Sequence, residues 1–327
     1  MKYTTLGETG LKVSRLCIGC MSFGGSDAQG FEWTLGYDDS KKVIDRAIDL
    51  GINFFDTADM YSNGRSEQIV GDALAGRRSD VVLATKVGLP TGDGPGDRGL
   101  GRKHVMGNIK RSLANLKTDR VDLYQIHRWD YGTPIEDVLR TLTDVVRKLG
   151  GAENIGASSM WAWQFAKALH TSDRFGLERF KTMQNHYNLA YREEEREMIP
   201  LCRSEGIPLI PWSPLGRGFL TGRYRRRTKP DTNRYRKDRH LRGRYFRPED
   251  FDVVERLVEV AKEKDAKPAQ VALAWLLSKE EVASPIIGPT KVEQLDELAD
   301  AVDLRLKSTD VRRLEEPYRP HQVLGHE

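Results

Sequence analysis

Short apolar runs with the character of buried strands alternate with stretches of helical periodicity eight times along this chain. The runs cover residues 16–24, 53–58, 80–87, 121–128, 154–159, 182–188, 208–215 and 285–290. Several are near-continuous in Val, Ile and Leu, as parallel strands buried on both faces are. The spacers read as helices. In 38–51, Val43, Ile44, Ala47, Ile48 and Leu50 cluster on one face and Gly51 supplies a stop. Residues 133–150 open Thr-Pro-x-Glu and close on glycine. Residues 268–277 start with proline and are apolar nearly all round, which predicts a well-buried helix. A chain of 327 residues has room for two ordinary domains. Eight strand-then-helix units instead predict an α/β fold consisting of a single (β/α)8 TIM barrel, with 1–327 forming one domain. A hairpin, TTLG-ETG-LKVSRL, is expected ahead of the first barrel strand. A long basic loop and an extra helix near 249–264 fall between the seventh and eighth strands.

Several classes are set aside by composition. Mean hydropathy is −0.57, and no apolar run reaches the roughly 18 residues of a membrane span. The start, MKYTTLGETGLKVSRL, has no apolar segment behind a basic one, so no signal peptide is read there. Three cysteines cannot frame a disulfide-stapled fold, which points to a cytoplasmic setting. The net charge of +4 conceals an asymmetry. Residues 222–247 carry twelve Lys/Arg against two acids, a balance of +10 that leaves −6 for the rest of the chain.

Polar residues at the carboxyl ends of barrel strands face the active site. Asp56 closes FFDTA, Tyr61 follows five residues later, Lys86 ends VVLATK and His127 ends LYQIH. Any one of them could be a satisfied ion pair or a cap. Together, at or just beyond the ends of strands two, three and four, they supply what carbonyl reduction needs. Hydride transfer leaves an oxyanion that must take a proton, and a free tyrosine, at a pKa of about 10, is a poor acid. A lysine ammonium beside the phenol is expected to lower that pKa, with an aspartate holding the lysine charged and placed. A histidine can hydrogen-bond the carbonyl and orient it.

The segments that carry these residues are recognisable. GINFFDTADMYSNGRSEQIVGDAL (51–74), VVLATKVG (81–88), RVDLYQIHRWD (120–130), NIGASS (154–159), MQNHYNL (183–189), PWSPLGRGFLTG (211–222) and PIIGPTKVEQLDEL (285–298) resemble the aldo-keto reductase superfamily, in order and over nearly the whole chain. The ending LEEPYRPH (314–321) resembles its bacterial and fungal aryl-alcohol-dehydrogenase-like branch. The resemblance implies a catalytic tetrad of Asp56, Tyr61, Lys86 and His127, with Tyr61 as general acid. It implies NADP(H), bound across the top of the barrel without a Rossmann domain, and a reversible reduction of aldehydes or ketones to alcohols. Gly19, Met21 and Asp56 would line the cofactor, and Ser158 and Gln184 would hold its carboxamide. Trp212 would lie against the nicotinamide, and Ser213, Leu215, Gly216, Arg217 and Gly218 would clasp the pyrophosphate. Gly288, Thr290, Lys291 and Gln294 match the segment that grips the adenosine. Thr290 and Lys291 sit near a helix start suited to a 2′-phosphate, which favours NADPH over NADH. The chain departs from the pattern at Ser159 and Leu298, where members often carry asparagine, and in the turn 149–153, which lacks the usual basic residues.

The implied substrate is a small carbonyl compound, by default an aromatic or medium aliphatic aldehyde. Its pocket is expected from Trp33 with the 25–37 segment, Met60, the 88–101 loop, Trp129 and the tail after Tyr318. Two competing functions share the barrel: a Schiff-base aldolase with Lys86 as nucleophile, and a cofactor-binding subunit that turns over slowly. Other signals are read as incidental. Gly94–Gly99 spells GxGxxG but lies well beyond its strand, and is read as a substrate-side loop. Cys17 and Cys20 stand three apart, on opposite faces of a strand, and the histidines show no HxH or HxxxH pairing, so no metal is expected. The basic segment, with its interleaved Tyr224, Tyr235, Tyr245 and Phe246, is read as a lid over the cofactor phosphates and not as a nucleic-acid site.

Overall fold

β1 (Tyr3–Thr5) and β2 (Lys12–Ser14) pair antiparallel, Tyr3 opposite Ser14, and make the expected N-terminal hairpin. The computed structural model of the chain describes residues 1–25, 33–226, 235–236 and 238–326. Among these, seven parallel strands form one sheet: β3 (Cys17–Gly19), β4 (Phe54–Asp56), β5 (Val82–Val87), β6 (Val121–Ile126), β7 (Ala152–Ser158), β8 (Met183–Gln184) and β9 (Ile286–Ile287). Their order, β8-β7-β6-β5-β4-β3-β9, leaves β8 and β9 at the two edges. Residues 208–212 close the gap between them. Leu209 bridges Met183 on one side and Val282 on the other, and Trp212 bridges His186 and Ile286. The (β/α)8 barrel is thereby complete, with its seventh strand present only as isolated bridges. The reason lies in the sequence PLIPWSP: Pro208 and Pro211 have no N–H to give a ladder, although their carbonyls accept from Met183 and Ile286 at 3.1 and 2.9 Å.

Helices cover the outside. α1 (Tyr37–Asp49) buries Val43, Ile44 and Ala47 and places Asp38 and Asp39 in its first turn, where their charge complements the positive end of the helix dipole. α2 (Arg65–Ala73), α3 (Arg102–Leu116), α4 (Ile135–Asp144), α5 (Ala162–Phe175) and α6 (Met198–Ser204) follow their strands. α4 starts two residues later than its Thr-Pro signal, with Pro134 as the cap, and passes into a π turn at Val145–Leu149 before Gly150 stops it at φ +66°. α7 (Arg239–Arg244) and the extra helix α8 (Pro248–Glu263) precede α9 (Pro268–Leu277), which is buried nearly all round and includes the fully buried Trp275. α10 (Val292–Ala299) and α11 (Ser308–Glu315) complete the order. None of the described helices is long and apolar enough to cross a membrane.

The core has two layers, as a barrel requires. A large outer one packs helices on strands. A small inner one gathers Cys17, Phe54, Val82, Ala84, Leu123, Ile210, Ala283 and Ile286 with Leu6 and Val13 of the hairpin. The hairpin therefore plugs the end of the barrel where the strands begin, and polar chemistry is left to the other end. Gly19 shows how tightly β3 and β9 meet, since a Cβ there would fall 2.7 Å from Ile286 Cγ2.

Candidate active site

A strand turns every second side chain to the same face. Phe54 and Ala84 belong to the inner apolar layer, so Asp56 and Lys86, two residues on, enter the barrel one layer higher. Leu123 is followed in the same way by Gln125 and, just beyond β6, by His127. The register sets Lys86 beside Gln125, and Ser158 beside Gln184. Tyr61 comes from the turn after β4, whose path is pinned by Thr57 N–H to the Ala84 carbonyl (2.9 Å) and Asp59 N–H to that of Lys86 (3.3 Å).

The structure brings the four expected residues together. Lys86 Nζ is fully buried and donates to Asp56 Oδ2 (2.5 Å), to the Thr57 carbonyl (2.9 Å) and to Tyr61 Oη (3.3 Å). An ammonium has three protons, and all three are used. Tyr61 Oη is thus an acceptor from Lys86. Its own proton is left for another acceptor, and among the described residues none takes it. The Asp56 carboxylate is held on its far side by the amides of Gln125 and Gln184, each 2.9 Å from Oδ1. The His127 ring meets Tyr61 edge to face at 5.7 Å, and its Nδ1 is buried without a partner among the described residues.

Electrostatics follow from burial. Desolvation is the largest influence on Tyr61 and raises its pKa; the charge and hydrogen bond of Lys86 act in the lowering direction without overcoming it. The net direction is therefore opposite to the sequence expectation, which weighed the lysine and not the burial. For Lys86, burial alone would lower the pKa, but Asp56 and Tyr61 raise it, so the amine stays charged. Burial, then the charges of Lys86 and Arg128, push His127 well down, and it is neutral at ordinary pH.

Across the barrel mouth, Trp212 stacks on His186 at 4.2 Å and donates from Nε1 to Ser159 Oγ (2.8 Å). His186 is sandwiched from behind by Tyr191 at 4.1 Å, so the indole rests on a rigid aromatic stack. Ser158 Oγ donates to the Gln184 carbonyl at 2.8 Å. Four residues of the segment after Trp212 have left-handed backbones: Ser213, Gly216, Arg217 and Gly218 lie at φ +51°, +56°, +56° and +95°. Successive left-handed turns form a concave backbone suited to phosphate. Arg217 is buried and paired with Asp238 at 2.9 Å, and Leu215 caps the 3-10 turn Gly216–Thr221. Gly288, just past β9, is exposed and has open space where a side chain would stand. Gln294 Oε1 accepts from Thr290 N–H (3.0 Å) and Oγ1 (3.3 Å), and Lys291, exposed, caps α10. Met21 is half-buried in the 3-10 turn after β3. A stacking ring, a phosphate cradle and an open glycine on one rim fit an extended dinucleotide. Among the described residues no group of three or more His, Cys, Asp or Glu is placed to hold a metal ion.

The sequence model of the Aldo/keto reductase family matches residues 15–319. This chain belongs to that family. A versiconal hemiacetal acetate reductase from Aspergillus parasiticus is 40% identical over 343 residues, spanning 99% of this chain and 98% of the relative. A putative aryl-alcohol dehydrogenase from Schizosaccharomyces pombe is 38% identical over 348 residues, spanning 99% and 97%. An aldo-keto reductase from Alternaria alternata is 37% identical over 354 residues, spanning 99% and 93%. The resemblance to the aryl-alcohol-dehydrogenase-like branch is thus met in relatives, and the chain is an oxidoreductase of the class that interconverts carbonyls and alcohols with a nicotinamide cofactor.

The rim of this aldo-keto reductase holds several aromatic rings. Met60, Trp129 and Trp33 are half-buried, and Trp129 lies 6.1 Å from Trp163, which is 57% exposed. Residues 26–32 of the expected substrate segment lie outside the described residues, as do 227–234 and 237 of the basic segment. The aromatics read as interleaved with charge are packing residues: Tyr224, Tyr245 and Phe246 all contact the Phe219 ring. Leu298 is buried in the outer core, which accounts for its apolar character. Gln125, His186, Asn188 and Arg128 were not singled out in the sequence. The two-residue alternation through Leu123-x-Gln125-x-His127 and Gln184-x-His186-x-Asn188 is the signal that would have found the first three.

Proposed function

We propose that this aldo-keto reductase uses NADPH to reduce aldehydes and ketones to alcohols, reversibly, with Tyr61 as the proton donor. The observation that carries the reading is the use of all three Lys86 protons on Asp56, Thr57 and Tyr61, which turns the tyrosine's own proton outward. The nicotinamide supplies the hydride when bound, and Trp212, the 213–218 cradle, Thr290 and Lys291 are the residues we expect to hold the cofactor. Neutral His127 hydrogen-bonds the substrate oxygen and aims it at Tyr61. The permanent charge on Lys86 then stabilises the phenolate left behind. A charged, triply bonded lysine also disfavours the Schiff-base alternative, which needs a free amine. The half-buried Trp129 beside the exposed Trp163, and the aryl-alcohol dehydrogenases among the relatives, support aromatic aldehydes as substrates. Three buried free cysteines support a reducing cytoplasm as the setting.

The test is NADPH oxidation by wild type and Tyr61→Phe against a panel of aldehydes and ketones. Wild-type turnover falling by about 10²–10⁴-fold in the variant is expected for a lost general acid. Because burial raises the Tyr61 pKa, wild-type reduction should show its alkaline decline above the ordinary tyrosine range, and alcohol oxidation should rise through the same range. Equal rates in the two proteins would remove Tyr61 from the mechanism. NADPH binding with no turnover by either would favour the cofactor-binding subunit.

A further inference from the structure

Arg128 directly follows His127 and reaches across the mouth of the site. Its Nη1 donates to the His127 carbonyl (2.5 Å) and to Ser158 Oγ (3.4 Å), and its guanidinium carbon lies 5.9 Å from the Trp212 ring. A guanidinium has five N–H donors, and both acceptors here are neutral. Among the described residues no carboxylate stands within ion-pair distance of it. Arg244 sits over the same indole at 5.0 Å and adds like charge. Burial pushes the Arg128 pKa down to about 10, with Tyr61 acting in the raising direction and Arg244 adding to the lowering. By contrast Arg217, on the cradle side, already has Asp238.

A half-buried cation with no anion beside it among the described residues is a poor use of charge, and a ligand that brings an anion relieves it. The proposed place for the cofactor's phosphates is the 213–218 turn, where Arg217 is already paired with Asp238. Arg128 stands instead beside His127, where the reacting carbonyl is expected. We infer that Arg128 makes this enzyme selective for carbonyl substrates that carry a second, ionised oxygen group, a carboxylate or an acidic phenol, taken by its free N–H fork. The inference rests on the reductase reading above. A planar fork matches a carboxylate with two parallel bonds, which a lysine cannot reproduce.

The experiment compares kcat/KM for 2-, 3- and 4-carboxybenzaldehyde with that for the matching carbamoylbenzaldehydes, which have the same shape without the charge. Wild type, Arg128→Met and Arg128→Lys are assayed, and NADPH affinity is measured for each by fluorescence. At least one carboxylate isomer should be favoured over its amide by tenfold or more in wild type. Arg128→Met should abolish that ratio by losing on the acid, and Arg128→Lys should retain part of it. No preference for any isomer overturns the inference, as does an equal loss on acid and amide together with weaker NADPH binding, which would assign Arg128 to the cofactor. If no aldehyde is turned over, the reductase reading has failed. Benzoate binding to the NADP⁺ complex then decides the anion site by itself: a Kd at least tenfold weaker in Arg128→Met upholds Arg128 as a carboxylate site without substrate selectivity, and an equal Kd overturns it.

Discussion

Both carboxyl oxygens of Asp59 are buried, and neither makes a hydrogen bond among the described residues. Burial, then repulsion from Glu67, raises its pKa to about 8, while Arg111, the nearby Met60 N–H and Lys86 act the other way. Glu67 itself is satisfied by Thr85 (2.7 Å) and Asn115 (3.1 Å), so Asp59 carries the mismatch. An acid whose folded pKa is raised above its unfolded 3.8 favours folding below that value, and the advantage is lost as pH rises to about 8. The folded state holds a proton there that the unfolded state has released, at up to about 1.4 kcal/mol per pH unit. Asp59→Asn removes this slope. Thermal unfolding between about pH 5 and pH 8 should show the variant gaining steadily on wild type, and parallel curves would mean that Asp59 is solvated or paired. The same residue scale explains the tetrad. The residue types and strand-end positions of this proposed tetrad were legible in the sequence because the two-residue period of a strand is enough to bring them to one end of the barrel. The direction of the Tyr61 shift was not, because it depends on how completely the phenol is buried, which is a tertiary quantity.

At the scale of elements, legibility followed hydrogen-bonding capacity. β5 and β6 are six residues each and α9 runs over the expected 268–277, since apolar runs with a full set of N–H groups make regular elements. The seventh strand, equally apolar, has prolines at 208 and 211, so its pairing reduces to bridges that only neighbouring strands could reveal. The loop that follows it is strained. Ser213 and Arg217, both with side chains, sit in the left-handed region at a cost of about 1–2 kcal/mol each. Asn188 holds the Ser213 carbonyl at 2.9 Å and Arg217 is tied to Asp238, so neighbouring contacts enforce the conformation. If the strained turn is there to bind pyrophosphate, Ser213→Gly should relieve strain and release the loop at once. The expected outcome is unchanged or higher Tm, by up to about 1 kcal/mol of stability, with weaker NADPH binding. A stabilised variant that binds NADPH as tightly as wild type would detach the strain from the cofactor.

The whole molecule is polarised along the barrel axis. The hairpin's Leu6 and Val13 seal one end, and the C-terminal tail lies across the other. There Leu324 N–H donates to Tyr191 Oη (2.9 Å), His326 meets Glu194 at 3.0 Å, and a Cβ on Gly325 would stand 3.1 Å from the Trp212 ring. Among the described residues, Arg128 and Arg244 stand over Trp212 at this second end, with Arg217 in the turn that follows it. Arg217 adjoins and Arg244 belongs to a stretch of chain, 222–247, whose sequence carries a balance of +10 against −6 for the rest. Positive charge concentrated in this way attracts a dinucleotide's phosphates, and steering of this kind raises an association rate. Contacts made after docking are short and less exposed to screening. The association rate of NADPH should accordingly fall as salt rises from about 0.05 to 0.5 M, where the Debye length shrinks to a few ångströms, while the dissociation rate changes far less. Stopped-flow quenching of protein fluorescence separates the two. If association is indifferent to salt, the basic segment does not steer the cofactor, and its charge must serve something else. If dissociation carries the salt dependence, the arginines hold the bound phosphates more than they attract free ones, and neutralising Arg217 should then reproduce the effect of salt.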